Sequence, residues 1–271
     1  MLDSTSLFSA FSSVSSTPEK KRTIVTSQEF KAFKATYALK SIAVDLNEGE
    51  WRYYEGGPKN VPLLLCLPGA SGAAETMFRQ IAGLCPKGYR VIAAQFPPYF
   101  TINEFVVGMD GFLDAVQANE VHIFGASLGG FLAQQYCLHR PKRVVSLILC
   151  NSFFSTASFS KAGGGMMAPV YQYMPSLLLK SLLLSSFDQA ATHPDLADAV
   201  EFVTEQVDGL GQGDMASRMT LNCGGADCAG LRLPSDRVTL IDALDKVARP
   251  QVLREELAAR YAGARTAHCR V

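Results

Sequence analysis

The sequence predicts an α/β fold: a mostly parallel sheet with helices on both faces and a helical cap inserted after the strands begin to repeat. Three observations carry this. The continuous apolar run Val61–Leu67 suits a strand buried on both faces, Tyr89–Phe96 reads as another buried strand, and Arg143–Asn151 as a strand again. Segments with helical spacing alternate with those runs, as parallel strand–helix units require. The alternation then stops at Asn151, and residues 152 to about 223 are mostly helix-like.

In chain order, "LKSIAVD" (Leu39–Asp45) and "EWRYYEGG" (Glu50–Gly57) read as the strands of a hairpin. "VPLLLCL" is the first buried strand, and "AAETMFRQIAGLC" follows it as a helix. "YRVIAAQF" is the next buried strand. Phe105, Val106, Met109, Phe112, Leu113 and Val116 then fall on one helical face. "VHIFG" is a strand, Leu128–Leu138 a helix, and "RVVSLILCN" a strand again. In the inserted segment, "KAGGGMMAP" reads as a flexible opening. "MPSLLLKSLLLSSF" is a strongly apolar helix, and "HPDLADAVEFVTEQVDGL" a helix entered near Pro194 and closed at Gly209. "CGGADCAGLRLPSD" is a loop back to the sheet. "RVTLIDALD" is a strand ending in acids, "RPQVLREELAARY" a helix, and "ARTAHCRV" the start of a last strand, which the chain leaves without the elements that would follow it. The expected division is a disordered Ser-rich tail over 1–27 and one domain over 28–271, with the cap at about 152–223.

Composition narrows the functional classes. The 271 residues are 48% hydrophobic, enough for a large core, and carry 25 basic against 25 acidic groups. No basic stripe points to nucleic acid. Seven cysteines, an odd number, are scattered, and Cys66, Cys137 and Cys150 lie in apolar segments. This favours a reducing compartment over a disulfide framework. Cys223 and Cys228 lack the spacing and the histidines of a zinc site, so no metal is expected. No apolar run is long enough to span a membrane. The first residues, "MLDSTSLFSAFSSVSSTPEKKR", lack the basic start and apolar core of a secretory signal; a transit peptide is the rival to a plain tail, weakened by Asp3 and scarce Arg.

The chemistry centres on "VHIFGASLGGFLAQQY". Its strand, turn and helix carry G-x-S-x-G as Gly125-Ala126-Ser127-Leu128-Gly129. That is how α/β-hydrolases mount a serine nucleophile: Gly125 and Gly129 permit the sharp turn and close helix packing, and Ser127 is left exposed. The alternative is a helix N-cap serine. A dinucleotide-binding turn is excluded, because "GASLGG" lacks the middle glycine of G-x-G-x-x-G, and no cofactor is expected. An oxyanion hole needs two backbone N–H groups. Leu128 would supply one and Ala70, in "LPGASG" after the first buried strand, the other; that loop has Pro68-Gly69 where hydrolases usually have His-Gly.

A serine hydroxyl also needs a base held by an acid. Asp245, at the end of a late strand, stands where such folds place the acid; Asp242 lies earlier on the same strand, and a solvated strand-end Asp is the plainer alternative. The base is the difficulty. His122 falls on a strand before Ser127. His139 ends a helix, where a cation suits the dipole. His193 precedes Pro194 in the cap. His268 alone follows the acid, but in the last strand and not on the loop beyond it. It is retained as the candidate base.

"VHIFGASLGGFLAQQYCLHRPKRVVSLILCNSFFSTASF" (Val121–Phe159) resembles the maspardin family of α/β-hydrolase-fold proteins, as do "LPGASGAAETMFRQIAGL", "GYRVIAAQFPPY" and "GLGQGDMASRMTLNC". The resemblance runs from about Phe33 to the end, with a weak patch at Gly224–Arg237. It implies a cytoplasmic protein that also associates with endosomal and Golgi membranes. The partners it implies are a receptor tail and an aldehyde dehydrogenase relative; the receptor, belonging to T cells, transfers poorly to this chain. It also implies a non-catalytic protein, with Asn where hydrolases place His on the loop after the last strand. Three expectations stand: a protein-binding adaptor on a hydrolase scaffold, a serine hydrolase of esters or thioesters, and a truncated product without a stable fold.

Overall fold

A computed structural model describes residues 23–44, 49–187, 196–243 and 251–269. Ser27 opens the first helix: its hydroxyl accepts from the Phe30 amide at 3.1 Å and caps α1 (Gln28–Thr36). Thr23–Ser27 therefore belong to a hydrogen-bonded turn leading into the domain and not to the tail; the rest of the predicted tail lies outside the described residues. The hairpin follows as β1 (Lys40–Ala43) and β2 (Glu50–Gly56), antiparallel with Lys40 opposite Tyr53.

Then come β3 (Leu63–Leu67), α2 (Phe78–Leu84), β4 (Arg90–Gln95), α3 (Ile102–Ala115), β5 (Val121–Ala126), α4 (Leu128–His139) and β6 (Val144–Cys150). A capping box starts α3: Thr101 and Glu104 satisfy each other's backbone amides. All six residues of β4 are buried, as a strand covered on both faces must be. After the inserted helices, β7 (Val238–Ala243), α10 (Gln251–Arg260) and β8 (Arg265–Cys269) complete the sheet.

The strand order is β1-β2-β4-β3-β5-β6-β7-β8. Only β2 runs against the rest. From β3 the chain goes first to β4 on one side and then to β5 on the other. That reversal opens a crevice beyond the carboxyl ends of β3 and β5, where α/β sheets place ligands. The core beneath is dense in aromatics: Trp51 stacks on Phe112 at 4.4 Å between centroids and donates its indole N–H to the Tyr99 hydroxyl at 3.1 Å.

Between β6 and β7 lie α5 (Ala157–Phe159), a π turn (Ser160–Gly164), α6 (Gly165–Met167), α7 (Ser176–Leu184), α8 (Ala197–Asp208) and α9 (Gln212–Cys223). "KAGGG" is thus helical and not an open loop. The reason is packing: a Cβ on Gly164 would stand 2.6 Å from Cys223 Sγ, so glycine lets α9 come close. The two ends of the insertion are tied together. Thr156 donates its amide to Ala226 O at 2.9 Å, and Ser155 bridges Asp227. Gln135 of α4 holds Asp227 O at 2.7 Å.

His122 on β5 shares a 2.7 Å hydrogen bond with Ser146 on β6. Burial holds its imidazole below the ordinary 6.5, against the pull of Glu120. A depressed folded-state value means the unfolded chain binds the proton more readily. The stability conferred by neutral His122 is therefore present above 6.5 and lost as pH falls through the lower folded value. The urea midpoint should fall more between pH 7 and pH 5 in wild type than in His122→Gln; equal pH dependence in both would contradict this.

Candidate active-site crevice

Ser127 stands between β5 and α4 with φ 48° and ψ −116°. A non-glycine residue holds this conformation only where its surroundings dictate it. Here they do. Its amide donates to Cys150 O at 2.9 Å, and its carbonyl accepts from Gly130 N, Phe131 N and Ser152 Oγ at 2.9–3.2 Å. Small residues make room. A Cβ on Gly125 would meet Gly130 Cα at 2.4 Å, and one on Gly129 would meet Leu67 O at 2.4 Å and Pro68 O at 2.5 Å. Gly129 is therefore where α4 closes on the end of β3. Gly69 faces Ser127 itself: its Cβ would lie 3.3 Å from the serine Cβ.

The strain is measurable. Holding Ser127 in this region costs about 1–3 kcal/mol, and glycine recovers it less the 0.4–1 kcal/mol its unfolded freedom adds. Ser127→Gly should raise stability by about 1 kcal/mol in denaturant titration; a loss of stability would show that the turn is unstrained.

Leu128 is the first residue of α4, so its N–H has no intrahelical acceptor and stays available beside Ser127. Ala70 lies in the turn after β3, closed by Gly72 N donating to Gly69 O at 3.0 Å. What orients that turn is Arg218 of α9. Its Nη1 donates to Ala70 O at 3.1 Å and Gly72 O at 2.6 Å. Arg218 is fully buried, and burial draws its guanidinium down to about 10, with Asp214 pulling the other way. The sequence reading missed this residue. Its signal was spacing: Met215, Arg218 and Leu221 recur three apart and all are buried on α9. Ser71 adds a second tie to the cap, donating to Leu183 O at 3.2 Å.

The other candidate residues are placed as follows. Asp245 and His193 lie outside the described residues. Asp242 is buried on β7, in register with His268 on β8, a strand exposed throughout. The end of β7 is fixed by Asn151, itself at φ 44°, whose Oδ1 accepts from Ala243 N at 2.9 Å. His139 meets Gln135 O at 2.8 Å at the far end of α4. Among the described residues no histidine hydrogen-bonds Ser127, and no cluster of side chains suits a metal ion. A cavity of about 140 Å³ lies to one side, lined by Arg52, Glu75, Gln95 and Glu205 among others; Ser127 is not in its wall.

Comparison with known proteins agrees with this geometry. Residues 64–269 match the Alpha/beta hydrolase family. Among solved structures, a hydrolase from Pseudomonas aeruginosa PA01 superposes with a TM-score of 0.66 at 22% identity, covering 86% of this chain and 90% of that one. The enol-lactonase from Burkholderia xenovorans LB400 gives 0.65 at 19% identity, covering 85% and 91%. These share the fold. Maspardin of Homo sapiens is 40% identical over 249 residues, 90% of this chain and 80% of its own length. Maspardin of Danio rerio is 39% identical over 246 residues, 89% and 78% respectively. The sheet order, the strained serine turn and this identity together place the chain in the maspardin family of the α/β-hydrolase superfamily.

Proposed function

We propose that this chain is a non-catalytic binding protein on a hydrolase scaffold, which recruits a protein partner through its cap at the cytoplasmic face of endosomal and Golgi membranes. The observation that carries the reading is the outer face of the cap. Met166, Tyr173 and Leu177 are 86%, 79% and 77% exposed, and Leu178, Leu182 and Val170 are exposed beside them. Apolar exposure concentrated in one short stretch marks a surface that meets another molecule. No described helix is long and apolar enough to cross a membrane.

An aldehyde dehydrogenase relative is the partner the family resemblance supports, with a receptor tail as the second. Co-precipitation of that dehydrogenase tests the reading. Wild type and Ser127→Ala should capture it equally, while Leu177→Asp/Leu178→Asp should lose it. Capture that depends on Ser127 and ignores the cap would overturn the proposal.

A second reading is favoured by the strained turn itself. Ser127 would attack the acyl carbon of an ester or thioester and pass its proton to His268 oriented by Asp245, Leu128 and Ala70 would hold the oxyanion, the alcohol or thiol would leave with that proton, and water would hydrolyse the acyl-serine. Strain of this kind gathers at reactive centres.

A further inference from the structure

Arg218 is a fully buried cation whose only described hydrogen bonds are to two backbone carbonyls. Nη1 is spent on Ala70 O and Gly72 O. Nε and Nη2 are buried and have no hydrogen-bond partner among the described residues. Those two atoms lie on one edge of the guanidinium. Their N–H groups point the same way, as a fork that matches the two oxygens of a carboxylate. The guanidinium carbon stands 5.4 Å from the centroid of the Phe96 ring, which fixes the plane of the fork. Asp214, the acid whose charge acts on the guanidinium, makes no hydrogen bond to it; its Oδ2 accepts from the Gly211 amide at 3.1 Å, at the start of α9. A buried charge left without an anion is costly, and buried donors left unpaired call for a ligand or a water.

We propose that the Nε/Nη2 edge of Arg218 is a recognition site for the carboxylate of an organic acid with an apolar body. The site lies under the cap, against the Ala70 turn that abuts Ser127. The apolar part would meet the Phe96 ring that lies against the guanidinium and Ala70, whose carbonyl Arg218 holds. The fork is closed to solvent, so the acid binds when the cap lifts from the turn, and the Ser71–Leu183 contact is one tie that must yield. The site requires no reaction at Ser127 and no docking on the outer cap face, so it stands or falls apart from both.

Sodium benzoate is the probe, and neutral benzamide its control. Benzoate should raise the melting temperature of wild type progressively with concentration, as a ligand specific to the folded state does. Benzamide should not. Arg218→Lys keeps the charge but loses the fork, and should bind benzoate roughly tenfold more weakly or worse, judged against its own unliganded melting point. Should the variant fail to fold, the arginine Nε–H resonance of Arg218 in wild type decides: it should shift on benzoate titration. An unmoved resonance, equal response to benzamide, or undiminished binding by Arg218→Lys would overturn the proposal and leave an internal water as the partner of the fork.

Discussion

Gly129→Ala is expected to destabilise the chain by roughly 3 kcal/mol or more, while Gly83→Ala stabilises it by about 0.5–1 kcal/mol. Both glycines sit inside helices, and the substitution adds the same methyl group. In α2, a Cβ on Gly83 meets nothing within 4 Å, so only the propensity gain of alanine remains. In α4, a Cβ on Gly129 falls 2.4 Å from Leu67 O and 2.5 Å from Pro68 O. Those are backbone atoms at the end of a central strand. They cannot swing aside as a side chain would. Relief requires α4 to lift or the turn after β3 to shift, and that turn carries Ala70 and rests on Arg218. Urea denaturation of the two variants beside wild type checks the opposite signs. Equal effects would mean that α4 is not pressed against β3 as described.

Gln134→Leu is expected to cost roughly 2–5 kcal/mol despite its similar volume, because it strands buried polar groups. Gln134 is fully buried in α4. Its amide donates to Phe153 O at 2.9 Å and Gly130 O at 3.0 Å, and its carbonyl accepts from the Tyr261 hydroxyl at 3.0 Å. One side chain thus joins the serine turn, the root of the cap and the end of α10. Leucine leaves Phe153 O and the Tyr261 hydroxyl unpaired. Adding Tyr261→Phe removes one of those orphans, so the double variant should be more stable than the two single losses summed. Strict additivity would show that the two residues do not share a hydrogen bond.

The sheet was legible where burial wrote its own pattern. β3 is an uninterrupted apolar run, and β4 and β6 are nearly so, broken only by Arg90, Gln95 and Ser146, because strands covered on both faces show little polar side. The helix α1 was not legible. It buries only Phe30 and Phe33, and two apolar positions do not establish a period. "KAGGG" misled in the other direction: glycine has poor helix propensity, and tertiary packing against Cys223 overrode it. At the site, the serine turn could be read from Gly125, Ser127 and Gly129, since its geometry needs those small residues in sequence. The support beneath the Ala70 turn could not. Arg218 arrives from a helix far along the chain, and nothing local to "LPGASG" announces it. Asn151 is similar: its left-handed φ and its grip on Ala243 depend on β7 lying alongside.

The fold holds Ser127 on a strained turn between β5 and α4, and the proposed role asks it only to keep that posture. Labelling with a fluorophosphonate separates the two readings most directly, because that reagent reports an activated serine hydroxyl and no particular substrate. The protein isolated from its own cells is incubated with the probe, and the serine peptide is read by mass spectrometry. An unlabelled Ser127 in folded protein that still captures its partner is the expected result. Labelling of Ser127 that disappears in Ser127→Ala would contradict the binding-protein reading and make the chain a serine hydrolase.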